Sequence, residues 1–201
     1  MAKRKFHLTL CCCLCTVNSP DPIRFRERRQ MISDTLKANS LEWRSQTMQS
    51  DTLCIIPPGK RKIWDRDATR GPASARDAYT GTLNRKARAY AEASGCDWVI
   101  LSAKHGFLLP ADTVPGNYDT AFGTTNAGII SADELARQWE EKDLHTYSRV
   151  EVLGGKKFRP IIGALAGSAA VYFPLENSRG IGDMLHLLDA WTVRMLKTDD
   201  K

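Results

Sequence analysis

Residues 98–123, WVILSAKHGFLLPADTVPGNYDTAFG, contain the transition on which the predicted fold depends: an apolar run stops at Ser102, and polar and glycine residues follow it. Residues 99–101 are a short continuous apolar run with β propensity, typical of a strand covered on both faces in a parallel sheet. Open α/β sheets bind their ligands at the carboxyl ends of such strands. Ser102, Lys104 and His105 are therefore predicted to lie at a functional edge of the sheet.

The same residues also have a purely structural interpretation. Lys104 alone would be an ordinary solvated loop charge, and His105 alone would be a hydrogen-bonded partner of a nearby carbonyl group. Because Asp112, Tyr118 and Asp119 follow in the same loop, the cluster favours a functional site over that interpretation.

Strand and helix patterns alternate along the chain, as in layered α/β folds. We predict one α/β domain over residues 1–201, a single layered domain whose mostly parallel or mixed central sheet is flanked by helices. Residues 1–50 would add an N-terminal strand and helices to a core of residues 51–201. Strands are predicted at residues 6–17, 51–57, 99–101, 149–153 and 169–173, and helices at 23–48, 75–94, 131–147, 158–167 and in a last segment that reaches 197.

Capping residues predict where two of these helices begin. Thr82 is the predicted cap of the main helix within residues 75–94, and Gly95 is its predicted stop. Ser131 and Glu134 form a capping-box pattern that opens the next helix.

The balance of charge favours a polyanionic partner. Lys and Arg number 29 against 23 Asp and Glu, which gives a formal net charge of +6. A basic chain of this kind favours a polyanionic partner without requiring one. Because no run approaches the roughly 18 apolar residues that a membrane span requires, no membrane contact is expected, and nothing in the chain indicates a protein partner.

The cysteines indicate a reducing compartment. Four of the six lie within residues 11–15, where neighbours cannot all pair with one another, so we expect a cytoplasmic protein. Cys13 and Cys15 lack a second ligand pair at zinc-site spacing, so neither a metal nor another cofactor is expected. The basic and then apolar start resembles a signal peptide, but His7 and Thr9 interrupt it, which favours a buried strand.

Cationic residues follow several predicted strands or begin helices, where they would meet an anion. Ordinary solvation is the alternative for each of them. Trp64 follows one such group and would either stack on a base or hold its loop against the core. The residues predicted to converge on one face and to contact phosphates are Lys60, Arg61, Lys62, Arg85, Lys86, Lys156 and Arg179.

The string ILSAKHGFLLPAD at 100–112, followed by Tyr118 and Asp119, resembles the signature of the YaaA-like superfamily, which is close to I-L-S-x-x-Y-G-L-L-x-P-x-D and a later Tyr. The preceding AYTG at 78–81 and PPGK at 57–60 are similar to upstream elements of that family. The resemblance covers about residues 52–123 and implies an α/β fold associated with DNA or modified nucleobases, with DNA-glycosylase-like sites. The functional residues that it implies are Lys60, Tyr79, Ser102, Gly106, Asp112, Tyr118 and Asp119.

Two features depart from that signature. His105 stands where the family usually has a tyrosine, and Val114-Pro115-Gly116-Asn117 precedes Tyr118 where the family more often has proline directly before the tyrosine. The pocket for the base is therefore expected to differ in shape from that of relatives.

On these grounds we expect a DNA glycosylase that excises a modified base, plausible in defence against phages with hypermodified genomes. The alternatives are a non-catalytic DNA-binding stress protein and a base-modifying or transglycosylase enzyme. Breaking the N-glycosidic bond requires stabilisation of a cationic sugar, an activated water and help for the departing base. Asp119 is the expected carboxylate, and Asp112 is either its reserve or a turn former. His105 would assist the leaving base, and Lys104 is an alternative amine nucleophile. The residues expected to contact the base are Tyr79, Ser102, Gly106, Tyr118 and Trp64.

Overall fold

The computed structural model describes residues 50–124 and 128–198, all of which belong to one compact unit, Arg44–Lys201. The strand predicted at residues 6–17, the helices predicted at 23–48 and the cysteine-rich run lie outside the described residues.

The core of the fold is a five-stranded mixed sheet with strand order β4-β3-β1-β6-β7. Strands β3, β1, β6 and β7 are parallel, and β4 pairs antiparallel with β3. A separate antiparallel ribbon joins β2 and β5. The strands are β1 Thr52–Ile56, β2 Ala73–Ser74, β3 Asp97–Ser102, β4 Gly106–Leu108, β5 Thr113–Val114, β6 Arg149–Val152 and β7 Ala170–Tyr172.

Helices flank this sheet, which confirms the predicted α/β class. They are α1 Ala75–Ala78, α2 Thr82–Ala93, α3 Ala132–Glu141, α4 Arg159–Leu165 and α5 Ile181–Thr198. Helix α2 packs against β1, β3 and α5, where the rings of Tyr90 and Trp191 lie 5.7 Å apart. Helix α3 contacts β4 and α4. Among the described residues, no helix is both long and apolar enough to cross a membrane.

The central strand is buried along its whole length, as its apolar run predicts. All six residues of β3 are buried, and in β1 only Thr52 is partly exposed. Covering both faces of the two middle strands removes most of their apolar surface from water, which stabilises a parallel sheet. Their carboxyl ends, at Ile56 and Ser102, therefore lie side by side at one edge of the sheet.

Three local predictions are corrected. The functional loop after Ser102 contains a strand, β4, because residues 103–105 make a tight turn that returns the chain antiparallel to β3. Helix α3 ends at Glu141 rather than near 147, and Leu144–Thr146 forms a separate 3-10 turn. The predicted cap Thr82 is wrong: Gly81 occupies the cap position and makes no side-chain capping hydrogen bond.

Candidate functional site

Two loops meet at the carboxyl edge of the sheet, one after β1 and one after β3. Lys62, which follows β1, forms an isolated antiparallel bridge with Tyr79. Next to that bridge, the Thr80 N–H donates to the Arg61 carbonyl over 3.0 Å. The segment before α2 is thereby tied to the loop after β1, and both lie beside the end of β3.

Tyr118 connects these segments. Its hydroxyl is hydrogen-bonded to the Tyr79 hydroxyl at 2.6 Å and to Ser102 Oγ at 2.8 Å. Its ring meets the His105 ring edge to face, with centroids 4.9 Å apart. Burial raises the pKa of both tyrosines, so both phenols are protonated at neutral pH. Three residues that are distant in sequence, Tyr79, Ser102 and Tyr118, form one hydrogen-bonded chain.

Ser102 anchors the turn that carries Lys104 and His105. It is fully buried, and its Oγ accepts hydrogen bonds of 3.1 Å from the backbone N–H groups of both residues. A serine side chain that bonds N–H groups two and three residues later is a common way to stabilise a turn. Ser102 therefore positions His105 and Tyr118, and its own hydroxyl is enclosed in the core.

Lys62 is the most enclosed cation of the site, with only 5% of its surface exposed. Its ammonium donates to the carbonyl of Tyr118 over 2.7 Å and to the carbonyl of Lys60 over 3.3 Å. It also lies 4.2 Å from the centroid of the Tyr118 ring. Burial lowers the pKa of Lys62, and the negative charges of Asp65 and Asp119 oppose that shift.

His105 is held mainly in its neutral form. Burial lowers its pKa, and the positive charges of Lys104 and Lys62 lower it further. Its Nε2 atom is buried and makes no hydrogen bond to the described residues. A neutral imidazole can donate or accept a hydrogen bond, which is the form suited to contact with an uncharged base.

An open cavity of about 690 Å³ is lined by two of these residues, Lys62 and Tyr118. One part of its wall is formed by three consecutive cations, and another by the carboxylate-bearing segment around Asp119. Asp65 is fixed at the rim, since it accepts hydrogen bonds from the Lys62 N–H at 2.8 Å and the Asn117 amide at 3.0 Å. The lining residues are Lys60, Arg61, Lys62, Asp65, Asn117, Tyr118 and Asp119.

Comparison with known proteins gives a family for this chain. Residues 66–190 match a family of unknown function, DUF6884. The chain belongs to DUF6884. It is also similar to the uncharacterized protein YfjM of Bacillus subtilis (strain 168), with 47% identity over 138 residues that cover 68% of this chain and 92% of YfjM. No solved structure matches the chain.

The DUF6884 match includes part of the site and leaves part of it out. Tyr79, Ser102, His105 and Tyr118 lie within residues 66–190, whereas the cations at 60–62 lie before it. None of these comparisons bears on the resemblance to the YaaA-like superfamily, which stays a prediction.

In this DUF6884 chain, Asp112 makes the contacts of a turn former. Its carboxylate accepts a hydrogen bond of 2.8 Å from the Leu109 N–H and pairs with Lys142. Its main-chain carbonyl accepts from the Ala75 N–H over 2.7 Å. These bonds close the turn between β4 and β5, so Asp112 acts here as a turn former, which was the structural alternative to a catalytic role.

Three other residues predicted to contact a base are buried. Trp64 is 4% exposed, and its indole N–H donates to the carbonyls of Arg70 and Gly71, so it holds its loop against the core and presents no free face for stacking. Tyr79 is 1% exposed and acts through its hydroxyl. Gly106 has a φ of 72° and is buried as well.

Gln138, on helix α3, was not predicted as part of the site. Its amide oxygen accepts from the Phe107 N–H over 2.8 Å, and its amide nitrogen donates to the His105 carbonyl over 3.2 Å. A β-carbon on Gly106 would lie 2.1 Å from that amide oxygen. Gln138 thus fixes the backbone on both sides of Gly106. No local pattern marks this role, because the contact joins residues 31 apart.

The other predicted phosphate contacts are more dispersed. Arg85 is exposed in the first turn of α2, while Lys86 pairs with Asp189 of α5. Lys156 is exposed just after β6, and Arg179, after β7, lies 3.8 Å from Asp183. Because β6 and β7 run parallel to β1, their carboxyl ends face the same edge as the cavity. Among the described residues, no His, Cys, Asp or Glu cluster suits a metal ion.

Proposed function

We propose that this protein is a cytoplasmic DNA glycosylase that removes a modified base and leaves an abasic site. The observation that carries the proposal is the open cavity, in which Lys60, Arg61 and Lys62 stand together with Asp119 and Tyr118. An enzyme that excises a base from DNA must hold the phosphates and take the nucleotide out of the base stack. The cations and the adjoining pocket are suited to those two tasks.

Asp119 is the carboxylate proposed for the chemical step. It is exposed at the cavity, and its negative charge acts on Lys62. A carboxylate in that position would stabilise the sugar as positive charge develops and would orient the attacking water. Asp112 is less suited to this role, because it does not line the cavity and its carboxylate closes a turn through Leu109 and Lys142.

Tyr118 and His105 are proposed to contact the departing base. Tyr118 is half-buried, and its ring borders the cavity that would receive the base. Stacking on such a ring contributes about 1–3 kcal/mol per base. The neutral His105 would hydrogen-bond the base and would not act as a strong acid, because its pKa is lowered. Tyr79 and Ser102 would keep Tyr118 in place.

The proposed biological role is defence against phages whose genomes carry hypermodified bases. A non-catalytic DNA-binding protein is the second candidate, and the two exposed cations Lys60 and Arg61 support it equally, since they need no chemistry to contact phosphates. A base-modifying transglycosylase would use the same pocket. It would differ in its product, because the strand would receive a new base and would contain no abasic site.

The test is to incubate the purified protein with DNAs that carry normal or hypermodified bases and to probe for abasic sites. We expect base release from at least one modified DNA and a loss of about 100-fold or more in Asp119→Asn, the range for a group that assists proton transfer. Asp133→Asn, at the exposed start of α3, is the matched control. DNA binding without base release on every substrate would favour the second candidate.

Full base release by a folded, DNA-binding Asp119→Asn variant would instead disprove the role of Asp119. In that case Asp112→Asn becomes the next variant to compare.

A further inference from the structure

Lys62 differs from every other lysine in the described part of the chain. Among the described lysines, only Lys62 is buried. It nevertheless lines the open cavity. Lys60 and Lys104, its nearest counterparts at the site, are exposed. A lysine that is shielded from bulk water and still borders a cavity has the environment in which enzymes use the amine as a nucleophile.

The contacts of Lys62 suit an uncharged amine as well as an ammonium group. Two carbonyl oxygens, of Tyr118 and Lys60, accept hydrogen bonds from its Nζ atom. A neutral amine has two N–H donors and one lone pair, so both bonds survive the loss of the third proton. The lone pair then takes the position that this proton leaves.

We propose that Lys62 is the nucleophile of an abasic-site lyase activity, with Nζ attacking C1′ of the opened deoxyribose in DNA that has lost a base. This inference rests on the proposed action on DNA, and it names a second substrate class for the same cavity. It also transfers the amine role that sequence reasoning considered for Lys104 to a residue whose environment is suited to it.

The reaction is balanced without an oxidant or a reductant. Nζ forms a bond to the aldehyde carbon C1′, the carbonyl oxygen takes up protons and leaves as water, and an imine remains. A base then removes a proton from C2′, and the C3′–O bond breaks as the 3′ phosphate departs with the electron pair. Water hydrolyses the imine, which releases an unsaturated aldehyde and restores the amine.

Neighbouring groups support both the formation of the neutral Lys62 amine and the removal of the proton from C2′. Burial lowers the pKa of Lys62, which favours the neutral amine, while Asp65 and Asp119 limit that shift. Asp119 lines the same cavity and is the carboxylate proposed to remove the proton from C2′. The Tyr118 ring, 4.2 Å from Nζ, stabilises the cationic imine as it stabilises the ammonium group.

The test uses an oligonucleotide whose single uracil has been removed beforehand, so that its abasic site does not depend on any base release by this protein. The full chain is incubated with it in cyanoborohydride, which reduces an imine to a stable amine. Wild-type protein should give one covalent adduct, and mass spectrometry of its peptides should place the adduct on Lys62. A wild-type adduct on Lys104, adducts spread over several exposed lysines, or no adduct would overturn the proposal.

Variants provide a second readout. Lys62→Arg retains the charge but cannot form this imine, so we expect at least a tenfold loss of adduct and of strand cleavage, with its fold checked by circular dichroism. Lys197→Ala, an exposed lysine on α5, is the control and should trap as well as wild type. Base release without trapping would overturn this inference alone, whereas trapping on Lys62 without base release would support it and disprove the proposed glycosylase.

Discussion

The hydroxyl groups of Tyr79 and Tyr118 lie 2.6 Å apart, and the same Tyr118 oxygen lies 2.8 Å from Ser102 Oγ. This contact joins the segment before α2 to the loop after β5 and to the end of β3. The Tyr118 ring therefore has a defined position between Lys62 and His105, with which it also makes ring contacts. Tyr118 lines the cavity, so the hydroxyl contacts of Tyr79 and Ser102 help to fix that part of its wall.

Removing the Tyr118 hydroxyl should destabilise the protein. Tyr118→Phe would remove a hydrogen-bond partner from both the Tyr79 hydroxyl and Ser102, and the loss of buried hydrogen bonding costs about 1–3 kcal/mol. We expect a decrease of that size in the free energy of unfolding in urea. Tyr79→Phe is the paired variant, and the double variant should lose less than the sum of the two single losses. Strict additivity would show that the two hydroxyls do not interact.

Gly106→Ala should disturb the turn that carries His105. The glycine has a φ of 72°, and an added β-carbon would lie 2.1 Å from the Gln138 amide oxygen. Alanine in this left-handed conformation would cost about 1–2 kcal/mol of backbone strain. Displacement of Gln138 would also break its hydrogen bonds to the backbone beside Gly106. Thermal unfolding should show a clear decrease in Tm. Gly116→Ala, which meets nothing within 4 Å, is the control, and an equal effect of both changes would contradict this account.

Lys60 and Arg61 should set the salt dependence of DNA binding. Both are exposed at the cavity, and each phosphate contact contributes about 0.9 to the slope of log affinity against log salt. The double variant Lys60→Ala, Arg61→Ala should reduce the slope by about two, as measured by fluorescence anisotropy at several salt concentrations. Lys197→Ala should leave the slope as it is. An unchanged slope in the double variant would remove both residues from the DNA contact.

His105 should make stability depend on pH in a defined direction. Its pKa is lowered from 6.5 in the folded protein, so the unfolded chain binds this proton more readily. The stability associated with neutral His105 is therefore present above pH 6.5 and is lost as the pH falls towards the folded pKa. Urea unfolding from pH 8 to about pH 5 should show a loss in wild type that is smaller in His105→Gln. The same loss in both proteins would exclude His105 as its source.

Local pattern was sufficient for much of the framework. The apolar run before Ser102 predicted the buried central strand, and Gly95 does end α2 with a φ of 64°. Ser131 caps α3 as predicted, since its Oγ accepts from the Glu134 N–H over 3.1 Å. These features depend on residues a few positions apart, so the sequence around each of them contains the information that determines it.

Features that depend on contacts between distant segments followed less directly from sequence. The sequence predicts a loop where the structure has the β4 hairpin, because Gly106–Leu108 is too short to show an alternating pattern. The true cap of α2 is Gly81, which makes no side-chain capping bond, and the segment before it is held by the bridge between Tyr79 and Lys62 of another loop. Contacts between segments leave no periodic signal in either segment.

The sequence by itself determined the α/β class, the edge of the sheet at which polar residues gather and the set of residue types present there. Only the tertiary structure decided what each residue does: Trp64 holds a loop, Asp112 closes a turn, Gln138 clamps the backbone beside His105, and Lys62 is buried against the Tyr118 ring. The physical reason is that burial, hydrogen bonding and the pKa of a side chain depend on which distant segments surround it. Those neighbours are brought together only when the chain folds.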